Sequence, residues 1–569
     1  MRALDWAVLL GTLAAIVGYG VWKTRGIKNV GAYMRGGSDS KWYTIGLSIM
    51  ATQASAITFL STPGQGFEDG LGFVQFYFGV PIAMVILSAT IVPIYYRTRV
   101  YTAYEYLEQR FDLKTRQLTA LIFLLQRGLG AGISIYAPAI ILSTVLGWPL
   151  AITNLTIGAL VIIYTVSGGT RAVNQTQQYQ MAVMLGGMAL AFVFVFSRLP
   201  ASVTFGDAVD MAGVLGKMKV VDFSPSMQTR YTVWSGLTGG TFVALAYFGT
   251  DQSQVQRYLS GESLKESRLG LLFNGLVKIP MQLGILFVGV LVFVFFQFEA
   301  PPVIFNSTEL TRVEQSRAAP RMTALQSEYA NAFSEKSVLV NEWLEARHAD
   351  DATRLASTET SLRAVEAKGK AIRARAKELV AEVNPRASPN DSDYVFLSFV
   401  MAYFPSGLVG LLLAVILCAA MSATASALNA LGTTSMVDFY RRSWKPDVDN
   451  DSALRATKGF TVLWGVVAVG FAIFASQLDN LIQAVNILGS IFYGPMLGVF
   501  LVGFFFKSVR GTPVFWATLL AQALVIAVFA SSDIGFLWYN VIGCGAVVVL
   551  ALIFNTVMRG ETRPAIPLQ

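Results

Sequence analysis

Apolar runs long enough to cross a bilayer recur along this 569-residue chain, separated by short polar and basic loops. A helix needs about twenty apolar residues to cross the hydrocarbon core, and by that measure the pattern predicts roughly thirteen spans. They lie near residues 4–22, 40–62, 72–96, 117–146, 148–168, 178–198, 233–259, 266–299, 393–435, 457–476, 481–506, 512–530 and 534–556. The second span is the most polar. Within Thr44–Gly70, Ser48, Thr52, Ser55 and Thr62 recur at helical spacing and put a polar stripe on one face. Gln53 and Thr58 flank the stripe, and Pro63, Gly64 and Gly66 are expected to stop the helix near one end. Two readings of the stripe stand. Small residues and self-bonded hydroxyls serve close helix packing. Alternatively the stripe lines a site, because freed carbonyls at bilayer depth persist only where protein or a cavity satisfies them.

Every second connection is basic: Lys23, Arg25, Lys28, Arg35 and Lys41; Arg97, Arg99, Arg110, Lys114 and Arg116; Arg171; Arg257, Lys265 and Arg268; Arg441, Arg442, Lys445, Arg455 and Lys458; Lys507 and Arg510; Arg559 and Arg563. The positive-inside rule makes these cytoplasmic, with the N-terminus outside and the C-terminus inside. The first apolar run has almost no basic leader and no clear small-residue cleavage site, and is read as a retained helix. The one hydrophilic insertion, 300–392, reads as an extracytoplasmic helical hairpin. Met322, Leu325, Tyr329, Ala332, Leu339 and Trp343 follow a heptad pattern, as do Leu355, Leu362, Val365, Ile372, Ala376 and Leu379, with a turn near 348–351. Lys336 and Gly369 interrupt the two patterns, which argues against a long rigid coiled coil. The hairpin is read either as a docking or gating domain with an extracytoplasmic partner or as a tolerated outer-loop insertion.

Composition agrees with this pattern: 54% of residues are hydrophobic and 14% charged, as in an all-α polytopic membrane protein. The net charge of +8 falls in alternating loops, not in a nucleic-acid-binding patch. Cys418 and Cys544 lie in apolar runs, and the single histidine, His348, lies in the hydrophilic segment. No nucleophile–base constellation or metal-ligand spacing appears, so no enzyme and no cofactor are expected.

Seven stretches bring a family into view. SAITFLSTPG, TAYEYLEQRF, IYAPAIIL, YTVSGGTRAV, GTDQSQVQRYL, MSATASALNALGTTSMVDFYRR and YGPMLGVFLVGFF occur in that order, and together they resemble the sodium:solute symporter family. TAYEYLEQRF and IYAPA are most similar to its iodide, multivitamin and monocarboxylate branch. The resemblance implies a LeuT-type fold, a five-plus-five inverted repeat of spans two to six against seven to eleven, with spans two and seven broken around a midplane site. The expected units are therefore 1–39 (first helix and loop), 40–299 (first repeat and start of the second), 300–392 (hairpin), 393–511 (rest of the second repeat) and 512–569 (C-terminal helices and tail).

The resemblance also implies a sodium cage between spans two and nine, with carbonyls from Ala51, Ala54 and Ala419 and a hydroxyl from Ser422. Ala423 stands where the family usually has Ser or Thr, so one hydroxyl is missing; water, Thr424, a weaker site or a site that no longer binds sodium are the alternatives. Gln177 stands where many members carry an Asp, which argues against a second sodium ion. By the same resemblance Lys278 matches a lysine near the sugar in sodium/galactose transporters and Tyr247 their inner-gate aromatic. Tyr77 and Ala244, however, replace the carboxylate and the asparagine of the sugar site. A hexose is thereby disfavoured and an organic anion favoured, with Gln53, Ser55, Thr58, Tyr77, Gln483 and Asn486 as neutral contacts.

Charges deep inside apolar spans are expensive, and Arg127, Lys278 and Asp251 are read one at a time. Arg127 lies about ten residues into its span, roughly 15 Å by helix rise, so it and Lys278 either snorkel to the interface or serve the site. The combined expectation is a secondary active transporter, a symporter taking sodium and a small organic solute across the cell membrane, expected to be a bacterial inner membrane. A transporter-like sensor without coupled transport is the alternative.

Overall fold

The structure, a computed structural model, describes residues 2–24, 39–98, 100–385, 387, 390–474 and 481–558. Arg25, Lys28, Arg35, Arg99, Arg559 and Arg563 of the basic loops lie outside the described residues. Nine helices among the described residues are long and apolar enough to cross a membrane, and shorter apolar helices accompany them.

Helix α1 (Ala3–Thr24) precedes the polar second span, which is two helices, α2 (Trp42–Gln53) and α3 (Ala56–Asp69). The break is at Ala54–Ser55 and not at Pro63-Gly64-Gly66, as the sequence had suggested. Ser55 N donates to Gln53 O at 3.0 Å and Thr58 N to Ser55 O at 2.9 Å, so the carbonyls of Ala51 and Ala54 lose their helical partners. Pro63 lies inside α3, and Gly64 and Gly66, which lack side chains, admit the backbones of Ser392 and Leu286 against its face.

After helical turns over 70–77 and α4 (Gly79–Ala89), α5 (Leu113–Leu146) and α6 (Leu150–Ser197) complete the first set of spans. Predicted spans five and six form the single run α6, broken at Gly169, whose φ of 59° only glycine adopts without strain. The second set opens with α7 (Gly240–Thr250) and α8 (Gln252–Tyr258), separated at Asp251 (φ −78°, ψ 116°), and continues into α9 (Leu264–Phe298). Gly239, Gly240 and Gly249 pack against neighbours and do not make this break.

The hairpin is α10 (Ala319–His348) and α11 (Ala352–Val383), each unbroken through Lys336 and Gly369. The turn between them contains Asp350 at φ 53°. Val340, Trp343, Leu344 and Leu362 join the same apolar core as the membrane helices. Ion pairs complete the docking. Arg347 Nε donates to Asp207 Oδ1 at 2.8 Å, and Arg373 reaches Asp391 at 3.1 Å and Glu68 at 3.2 Å. Burial opposes ionisation of Asp207, but Thr204, Arg347 and His348 outweigh it and hold the carboxyl well below the usual range.

Predicted span nine is two helices, α12 (Ser392–Tyr403) and α13 (Leu408–Thr434). The chain turns between them at Gly407 (φ 90°), whose N–H donates to Asp5 Oδ1 of α1 at 2.6 Å. A π-helical extension, Ser435–Trp444, follows. Helices α14 (Asn450–Phe474), α15 (Leu481–Phe505), α16 (Gly511–Ser531) and α17 (Leu537–Val557) complete the described chain.

Candidate functional site

The two interrupted helices meet α5, α13 and α15 around a cavity of about 110 Å³. The break in α2/α3 supplies Thr52, Gln53, Ser55 and Thr58 to its wall; Tyr77, Tyr247, Asn486 and Ala423 also face it. Six of the eight residues expected to contact solute therefore converge here: Gln53, Ser55, Thr58, Tyr77, Tyr247 and Asn486. Gln483 does not. It accepts from Arg230 and donates to Gln65 Oε1 at 3.2 Å. Lys278 does not line the cavity either. Its ammonium is fully buried 4.9 Å from the Tyr77 ring centroid, on a helix that contributes nothing to the cavity, and has no hydrogen-bond partner among the described residues.

Arg127 is the one charged side chain in the cavity wall among the described residues. It does not snorkel. Its Nη2 donates to Asp251 Oδ2 at 2.5 Å and to Ser253 Oγ at 2.7 Å, and its guanidinium lies 5.3 Å from the Tyr247 ring centroid. Asp251 is fully buried at the break between α7 and α8, where its Oδ1 accepts from Ser253 N at 2.8 Å and its Oδ2 from Tyr493 OH at 2.9 Å. Gln254 Nε2 donates to Tyr247 OH at 2.7 Å. This network closes the cavity at the end away from the hairpin, since α9 runs from this level to the hairpin base. Four polar atoms around the cavity have no hydrogen-bond partner among the described residues: the donors Arg127 Nε and Asn486 Nδ2, and the acceptors Gln53 Oε1 and Gln126 Oε1. Buried polar atoms are usually paired, so a wall holding four orphans is a wall prepared for a polar solute or water.

Behind the cavity α2 and α13 face each other. Ala51, Ala54 and Ala419 are fully buried, and Ser422 Oγ donates to Ala51 O at 3.0 Å. Ala423 faces the cavity with a methyl group, and Thr424 Oγ1 is buried without a hydrogen-bond partner among the described residues. Beside this pair, Gln177 Nε2 lies 2.9 Å from Ser422 Oγ, 2.9 Å from Ser426 Oγ and 3.0 Å from Thr52 Oγ1, while Ser48 Oγ donates to its Oε1. Three hydroxyls thus surround one amide nitrogen. The polar stripe of the second span is therefore two features: Ser48 and Thr52 serve this cluster, whereas Thr62 accepts from Gln282 at 3.3 Å. The sequence reading missed Ser426 as a member of the cluster, and Gln126, Ser134 and Tyr493 in or at the cavity. Tyr493 lies in the YGPMLGVF stretch, which was the available signal.

A family model described as the sodium:solute symporter family matches residues 33–320 and 375–521, and so breaks across most of the hairpin. The chain is 25% identical to the sodium-coupled monocarboxylate transporter 2 of Mus musculus, over 90% of this chain and 69% of that protein. It is 24% identical to the sodium/sialic acid symporter SiaT of Proteus mirabilis, over 97% of this chain and 94% of that one. A solved substrate-bound, outward-open Na+-coupled sialic acid symporter superposes with a TM-score of 0.74 over 98% of each chain, at 22% identity.

Proposed function

This chain belongs to the sodium:solute symporter family, and from that membership we propose that it imports a small organic carboxylate together with sodium by alternating access. It is a membrane transporter and not an enzyme, with sodium as the coupling ion. The observation that carries the carboxylate reading is the cavity wall: Arg127 is its one charge among the described residues, and the orphan donors Arg127 Nε and Asn486 Nδ2 both suit an anion. A guanidinium offers a planar fork matched to a carboxylate. The orphan acceptors on Gln53 and Gln126 suit a hydroxyl or N–H elsewhere on the solute. Sodium would sit between α2 and α13, where the freed carbonyls of Ala51 and Ala54, with Ala419 and Ser422, offer the hard oxygen atoms such an ion needs.

Purified protein in proteoliposomes should accumulate labelled short-chain monocarboxylates when sodium is high outside, and glucose should not compete. Sodium-driven glucose uptake with no carboxylate uptake would defeat the reading.

The proposed orientation places the N-terminus and the hairpin outside and the C-terminus in the cytoplasm. Ala349 is exposed at the hairpin tip, and both native cysteines, Cys418 and Cys544, are buried. Ala349→Cys in intact cells should therefore react with an impermeant maleimide against a low background. Reaction only after permeabilisation would reverse the topology.

A further inference from the structure

A second cavity, of about 40 Å³, lies where the hairpin meets the ends of α3 and α9. A single water needs about 10–15 Å³ of such volume, so the space suits a carboxylate with one or two carbons and excludes a sugar acid. We propose that this cavity is a second anion site, distinct from the central cavity, that takes a small monocarboxylate of the size of acetate.

The carrying observation is a surplus of buried ammonium hydrogens. Lys217 and Lys336, 3% and 8% exposed, both face the cavity. Each ammonium has three N–H donors. Among the described residues Lys217 has one acceptor, the carbonyl of Glu68, and it lies 4.5 Å from the Phe293 ring centroid. Lys336 has two distant partners, Phe296 O at 3.4 Å and Glu366 Oε2 at 3.6 Å. Lys370 at the exposed rim forms no hydrogen bond or ion pair among the described residues. Of the two carboxylates in the wall, Glu68 is held by Arg373 at 3.2 Å and Glu366 is the one shared with Lys336. Four cations against two carboxylates leave the lining two charges positive.

Unmatched buried donors are costly, and an anion is what would match them. Burial first, and then the nearby Lys370, push the Lys217 ammonium down to about 8; burial likewise lowers Lys336. Phe293, Phe296 and Phe333 supply apolar walls, which favour the methyl group of acetate over a bare halide. Because the outer end of α3 forms one wall and its other end borders the central cavity, occupancy here bears on the same half-helix from the opposite end.

The test is thermal unfolding of the full-length protein in nanodiscs, titrated with acetate, chloride or gluconate at constant sodium. Acetate should raise the unfolding temperature saturably, chloride less, and gluconate not at all. Lys336→Gln should reduce the acetate effect to the part that the central cavity gives, and Lys370→Glu, an exposed change that leaves the buried packing intact, should raise the half-saturating concentration of the remainder at least tenfold. If Lys336→Gln fails to fold, the rim variant decides. An acetate effect undiminished in Lys370→Glu would overturn the proposal by assigning the effect to the central cavity, as would the lack of any saturable effect. A chloride effect equal to that of acetate would overturn the carboxylate assignment. Carboxylate uptake into proteoliposomes is a separate readout, so the transport reading can stand or fall independently.

Discussion

Replacing Arg127 by glutamine is expected to lower sodium-driven carboxylate uptake at least a hundredfold, a loss of ~2.7 kcal/mol. Two effects add. The cavity wall loses the Arg127 charge and with it the partner for a carboxylate. Asp251, fully buried, also loses the guanidinium 2.5 Å away, and breaking a buried pair from one side typically costs about 3–5 kcal/mol. The double variant Arg127→Gln/Asp251→Asn separates them, because the pair is then neutral on both sides. It should regain most of the thermal stability and none of the uptake. Asp251→Asn alone leaves Arg127 without its counter-ion, so its unfolding temperature should depend on added carboxylate far more than that of the wild type. Uptake near wild-type level in Arg127→Gln would remove Arg127 from the site.

The second large effect concerns the ion. Wild-type uptake should rise with sodium concentration with a Hill coefficient near one, because the place beside Ser422 and Ser426 is filled by the Gln177 amide nitrogen. The amide N–H₂ donates to those hydroxyl oxygens and fills the space a second cation would need, while Ser422 Oγ keeps one lone pair for the ion of the proposed cage. Gln177→Glu keeps the length of the side chain and exchanges that donor for a charged oxygen, and hard oxygen ligands are what sodium requires. Uptake should then become sigmoidal in sodium, with a coefficient moving towards two. Ser422→Ala removes the hydroxyl that bridges to Ala51 O at 3.0 Å and should abolish uptake or sharply raise its sodium requirement. Ala423→Ser should tighten it, since that side chain borders the cavity beside the proposed cage. Initial rates against sodium concentration for the four proteins decide the matter. A wild-type coefficient of two, or an unchanged sodium dependence in Ser422→Ala, would sink the one-ion scheme.

The amino-acid sequence by itself determined that the chain is an all-α membrane protein, roughly where its apolar helices lie, and that the 300–392 insertion contains a helical hairpin, because burial in lipid and heptad packing are written in local periodicity. Its motifs also carried the family. What local pattern could not carry was where helices break. Pro63, Gly64 and Gly66 are strong breakers in isolation, yet α3 runs through them, with Ser392 and Leu286 close against its face. Ala54 and Ser55 look unexceptional, yet the chain opens there, where Ser422 from more than 300 residues away bonds the freed Ala51 carbonyl. The fate of the buried charges was likewise tertiary. Whether Arg127 snorkelled or paired depended on Asp251, 124 residues on, and whether Lys278 met solute depended on the Tyr77 ring packed against it. Periodicity records which face of a helix avoids water. Which polar groups meet on that face is set by contacts between distant segments, and only the packed structure holds those.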